Sequence, residues 1–157
     1  MDKLLTIKYQ EYSDPAEMSS RDRELVQCAI KATEASYSPY SKFRVGAAVR
    51  LSDGTVIKGA NQENAAFPSG LCAERTAMFA AAAQHPSLAM ESIAIAAIGT
   101  DGKLTPLPAT PCGACRQVMA EYQKLSGAPI NIILHGRERT WKFDRVDDVL
   151  PLIFDSI

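Results

Sequence analysis

Neither charge sign dominates: 17 basic residues face 18 acidic ones, for a net charge of −1. A protein that binds a polyanion carries a basic stripe or a strongly positive balance, so a small molecule is the expected partner, not a nucleic acid polymer. Long apolar runs are also missing. None approaches the roughly 18 residues of a membrane span, and the opening MDKLLTIKYQEYSD turns charged too soon for a secretory signal. A cytoplasmic protein with no membrane partner is expected. Cysteines number only four. In a reducing compartment so few thiols serve more naturally as metal ligands, catalytic groups or core residues than as disulfides.

What is present is ordinary globular material, 46% hydrophobic and 22% charged over 157 residues, enough for one domain with its own core. One domain is expected over residues 1–157, with 1–18 as an N-terminal extension and 146–157 as a C-terminal helix and tail.

From Ser19 to Tyr37, Leu25, Val26, Ala29 and Ile30 recur at helical spacing and Ser20 is a candidate N-cap. FRVGAAVRL, a Ser-Asp-Gly turn at 52–54 and TVIKGANQ read as a β-hairpin. A second helix begins close to Cys72 and runs to Pro86, with His85 at its negative end. SIAIAAIG at 92–99 is a continuous apolar run, the pattern of a strand covered on both faces. CGACRQVMAEYQKL is a third helix ended by Gly127, INIILHG another strand, TWKF a further one, and VDDVLPLIF a short closing helix. The order predicts an α/β fold: a three-layer α-β-α sandwich around a mixed five-stranded sheet.

Cys112 and Cys115 stand at i and i+3, so at a helix start both sulfurs face one point. That spacing alone suits zinc or a redox disulfide equally. A thioredoxin-type pair follows the first strand of a βαβ unit, whereas this one comes after the third. Cys72 opens the other helix and supplies a third thiol. Three protein ligands with one open position are the arrangement of catalytic zinc, which brings the pKa of bound water to about 7.

Three thiolates leave the metal with a net negative charge, which two helix N-termini can offset. Arg75 and Arg116, close to the ligands in sequence, are expected to add cationic hydrogen bonds. Glu74, two residues beyond Cys72, is placed to shuttle protons. Taken singly, each cysteine reads more readily as a small buried residue. Cys28, mid-helix, is assigned to the core, and His85 and His135 to structural positions.

These residues spell a family pattern. CAE at 72–74 followed by PCGACRQ at 111–117 resembles the zinc-dependent cytidine deaminase superfamily, and YSPYSKFRVGAAV, GANQENAAFPSG and CGACRQVMAEY extend the likeness to free-nucleoside enzymes over roughly residues 20–155. The resemblance implies one zinc per subunit on Cys72, Cys112 and Cys115. It makes Glu74 the group that moves a proton from water to N3 of the pyrimidine while hydroxide adds at C4 and ammonia leaves. It assigns Asn61 and Glu63 to the ribose hydroxyls, Phe43 and Ala73 to substrate contact, and Phe154 to a neighbouring subunit's site in a homotetramer. From composition and position alone, Phe43 reads as core and Glu63 as a solvated strand end. Phe67 departs from the pattern, standing where relatives often carry a tyrosine.

The implied activity is hydrolysis of cytidine and deoxycytidine in pyrimidine salvage. A modified aminopyrimidine nucleoside, such as a nucleoside antibiotic, is an alternative substrate. A noncatalytic zinc or RNA-binding module and a thiol oxidoreductase are alternatives of other classes.

Overall fold

The computed structural model describes residues 1–156, and its strands join in one six-stranded sheet of order β1-β6-β5-β4-β2-β3. In chain order these are β1 Gln10–Tyr12, helix α1 Ser20–Ala32, β2 Arg44–Leu51, β3 Val56–Ala60, helix α2 Ala73–Gln84, β4 Met90–Ile98, helix α3 Gly113–Ser126, β5 Asn131–His135 and β6 Thr140–Phe143. Only β4 and β5 pair in parallel; the other neighbours are antiparallel.

Alternation along the strands divides the core. Ala47, Val49, Ile93, Ile95, Ile132 and Leu134 point to the side covered by α2 and α3. Ala48, Ala94, Ala96 and Ile133 point to α1, which answers with Leu25, Val26 and Ala29. Fully burying one such Leu, Ile or Val side chain contributes about 1.5–3 kcal/mol, so both layers are held by ordinary apolar packing. The expected sandwich is what forms, and β4 lies between two strands as its unbroken apolar run requires.

Two glycines set how closely the layers meet. A Cβ at Gly46 would overlap the carbonyl oxygen of Ala29, and one at Gly59 would overlap the backbone nitrogen of Ala77 and lie 2.9 Å from Ala73 O. The first turns of α2 therefore rest directly on β3, fixing the start of that helix against the sheet.

The sixth strand was not expected. Residues 10–12, read as part of an extension, form β1 and pair with β6, Gln10 opposite Lys142. Partners remote in sequence secure it: Tyr9 stacks on Phe143 at 5.2 Å between ring centroids, and Trp141 Nε1 donates to Glu11 Oε2 at 2.8 Å.

At the other end, the helix expected over VDDVLPLIF is a single 3-10 turn, Val146–Asp148. Val146, Val149, Leu150 and Ile153 keep helical spacing and pack on the core. Pro151 supplies no N–H and disfavours the helical conformation at residue 150, so the pattern cannot propagate. The final position of that expected segment, Ile157, lies outside the described residues. The helix α1 begins one residue earlier than expected, with Ser19 as N-cap. Among the described residues no helix is long and apolar enough to cross a membrane.

Candidate active site

The strands β3, β4 and β5 run in one direction, and the chain leaves the carboxyl ends of β3 and β4 to enter α2 and α3. Ligands of α/β sheets gather outside such carboxyl ends. Here the loops deliver Cys72 as N-cap of α2 and Cys112 as N-cap of α3, with Cys115 one turn into α3.

The sulfurs converge: Cys72 Sγ lies 3.8 Å from Cys112 Sγ, and Cys112 Sγ 3.5 Å from Cys115 Sγ. All three lie within 4.8 Å of one another. Sulfurs on a tetrahedral zinc with Zn–S bonds of about 2.3 Å sit about 3.8 Å apart, so the donor set fits that ion in spacing and chemistry. The burial is graded, with Cys115 buried, Cys72 half-buried and Cys112 exposed.

Charge is managed at the same point. Arg75 Nη2 donates to Cys72 Sγ at 3.3 Å. Cys72 is held down to about 5 by its hydrogen bond with the Cys115 thiol and by Arg75. The same hydrogen bond, burial and the nearby Glu74 push Cys115 far up. Pairing with the sulfurs raises Arg75 above its ordinary value.

Glu74 is 5% exposed, in the first turn of α2. Burial raises its pKa first, and the Cys72 charge adds to that. A carboxyl hidden beside three sulfurs is equipped to take up and return a proton locally. Ala73, between the two, is fully buried against β3.

A cavity of about 270 Å³ leads away from Cys72 and Arg75, lined also by Asn61, Glu63 and Phe67. Asn61 at its inner wall completes the start of β2: its Oδ1 accepts from Val45 N at 2.8 Å and from Ser36 Oγ, and its Nδ2 donates to Phe43 O at 2.9 Å. Glu63 accepts from Tyr40 N at 3.1 Å, Ser41 N at 3.2 Å and the Ser41 hydroxyl. The hydroxyl bond is the first cause holding its carboxyl below the usual range. The pair is thus brought to the cavity, and each member also organises the 36–45 segment. Ser41, which sequence reasoning passed over, is the residue that anchors Glu63; its place in SPYS carried only a turn signal.

Phe43 is half-buried where β2 begins and is absent from that cavity's lining. Phe67 stands 74% exposed at the rim, edge-on to Tyr40 at 6.0 Å. Phe154 is exposed on the tail that runs along α3, its carbonyl accepting from Gln117 Nε2 at 2.7 Å. Larger cavities of about 410 and 430 Å³ flank the far ends of α3 and α2, and none of the cysteines among the described residues lines them.

Arg116 corrects an expectation. Its guanidinium donates to Pro111 O at 2.8 Å and Val149 O at 2.7 Å, and among the described residues it reaches no sulfur. One helical turn separates it from Cys112, but the side chain extends toward the carboxyl-terminal segment, which sequence spacing does not reveal. Cys28 packs half-buried against the α1 layer. His85 caps the end of α2, and buried His135 bonds Thr140 at 2.8 Å.

The family model for the cytidine and deoxycytidylate deaminase zinc-binding region matches residues 19–126. A cytidine deaminase of Halalkalibacterium halodurans is 50% identical over 136 residues, covering 86% of this chain and 96% of that one. One from Mycobacterium tuberculosis is 35% identical over 126 residues, covering 80% and 84%. Among solved structures, the cytidine deaminase of Burkholderia pseudomallei superposes with a TM-score of 0.71 at 35% identity, covering 87% of this chain and 100% of that chain.

Proposed function

The chain belongs to the cytidine and deoxycytidylate deaminase family, and from that premise we propose that it hydrolyses the C4 amino group of free cytidine and deoxycytidine, releasing ammonia. The observation that carries this reading is three sulfurs at tetrahedral spacing beside the buried Glu74. Zinc held by Cys72, Cys112 and Cys115, one per subunit, supplies Lewis-acid activation of water at neutral pH.

Glu74 takes the proton released by the attacking water and delivers it to N3 of the ring, work that contributes about 10²–10⁴-fold in rate. Its burial keeps that proton from exchanging with bulk solvent during the transfer. Arg75, donating to Cys72 Sγ, and the positive ends of α2 and α3 offset the thiolate charge.

The internal hydrogen bonds of the sugar pair leave definite capacity. Asn61 has spent both oxygen lone pairs and one N–H, so one N–H remains; Glu63 has accepted three bonds and can accept another. One donor and one acceptor on adjacent turns of chain suit a ribose hydroxyl, which offers both functions. Phe43 is assigned to the base, Ala73 to substrate contact, and Phe154 to the site of a neighbouring subunit in a homotetramer. The role assigned to the chain is a cytoplasmic one in pyrimidine salvage.

The test is loss of the cytidine ultraviolet band in an assay run with metal content measured in parallel. Zinc-dependent turnover is expected, with Glu74→Gln retaining zinc while kcat falls about 10²–10⁴-fold. Undiminished turnover by zinc-loaded Glu74→Gln would remove the proton-transfer role.

A further inference from the structure

The two carbonyls that Arg116 grips belong to segments far apart in the chain. Pro111 is buried and immediately precedes the ligand Cys112, and Val149 ends the C-terminal turn that buries Val146 and Val149. The main-chain N–H of Arg116 also donates to Cys112 O at 3.0 Å. The carbonyls on either side of Cys112 Cα are thus both bonded by residue 116, Pro111 O by the arginine side chain and Cys112 O by the ordinary helical backbone bond. Cys112 itself makes no side-chain cap bond among the described residues. Hydrogen bonds from a charged guanidinium are the strong class, and its rigid planar fork fixes two directions at once, which a lysine ammonium does not.

We propose that Arg116 is a positioning residue: through the Pro111 carbonyl it holds Cys112 in ligand geometry, and through the Val149 carbonyl it couples the metal site to the C-terminal turn. This rests on the reading of the thiols as a zinc site. Gln117 and Lys124 continue the row, donating to Phe154 O at 2.7 Å and Asp155 O at 3.1 Å, but they touch only the tail. They separate the two jobs, since loss of Gln117 removes one hold on the tail without touching Pro111.

The experiment is zinc release from the full-length, zinc-loaded protein into a metallochromic chelator. Wild-type protein that holds no zinc removes the zinc reading and this inference together. With the wild type loaded, Arg116→Lys is expected to release zinc about 10- to 100-fold faster, the usual effect of losing an outer partner of a ligand, while Gln117→Ala releases it at the wild-type rate. Wild-type release by Arg116→Lys, or equal acceleration by Gln117→Ala, overturns the assignment.

Should Arg116→Lys fail to fold, the coupling is read in the wild-type chain by hydrogen exchange. Stripping zinc is expected to speed exchange at the Val149 and Leu150 amides, both bonded to Val146 O at 2.9 Å, with α1 amides as the unchanged reference. Equal protection of residues 149 and 150 with and without zinc overturns it.

Discussion

The start of α1 and the starts of α2 and α3 solve the same problem differently. Ser19 caps α1, its Oγ accepting from Asp22 N at 3.1 Å. At the equivalent positions of α2 and α3 stand Cys72 and Cys112, and among the described residues neither makes a side-chain cap bond. Replacing a good N-cap typically costs about 0.5–2 kcal/mol. Two helices forgo that stabilisation and direct the positive potential of their uncapped starts toward the sulfurs. Where a helix only supports the fold its first turn is closed; where it serves the site its first turn stays open.

The largest test of this contrast is Cys115→Ala. It leaves both open helix starts in place but removes the buried thiol, and is expected to abolish both zinc retention, measured by elemental analysis, and cytidine turnover. A variant that keeps stoichiometric zinc would show that two cysteines suffice.

Next in size, Ser19→Ala should lower unfolding free energy by about 1 kcal/mol in urea titration, leaving kcat unchanged because α1 lies on the sheet face away from the thiols. The smallest effect sharpens the comparison most. In chelator-stripped protein, Cys112→Ser is expected to raise stability by up to about 1 kcal/mol, since serine caps where cysteine does not, while zinc affinity collapses. A Cys112→Ser protein no more stable than the stripped wild type would mean that the open start of α3 costs nothing.

The thiol centre was legible because it is built from local signals. Cys112 and Cys115 are one helical turn apart, Cys72 marks the other helix start, and the family resemblance joined the three. The sandwich was legible for a similar reason, since apolar periodicity marked each long element. The unread features depend on partners remote in sequence. Three residues, Gln10–Tyr12, become a strand only because Trp141 and Phe143 lie beside them. Arg116 finds Val149, and Glu63 finds Ser41, across connections that carry no periodic pattern. The C-terminal turn was misread because Val146, Val149, Leu150 and Ile153 obey helical spacing while Pro151 alone forbids the helix.

The pairing of β1 with β6 joins the first strand made to the last, Gln10 with Lys142. During synthesis β1 leaves the ribosome with no partner and must wait, as a loose extended segment, until residues 140–142 have followed. Residues 72–115, which carry the three thiols and Glu74, are complete well before then. Closing so long a loop is slow relative to local contacts, so edge closure comes late in the order of folding. Stacking of Tyr9 on Phe143 thereby marks a chain in which residues 140–143 have been made and have docked.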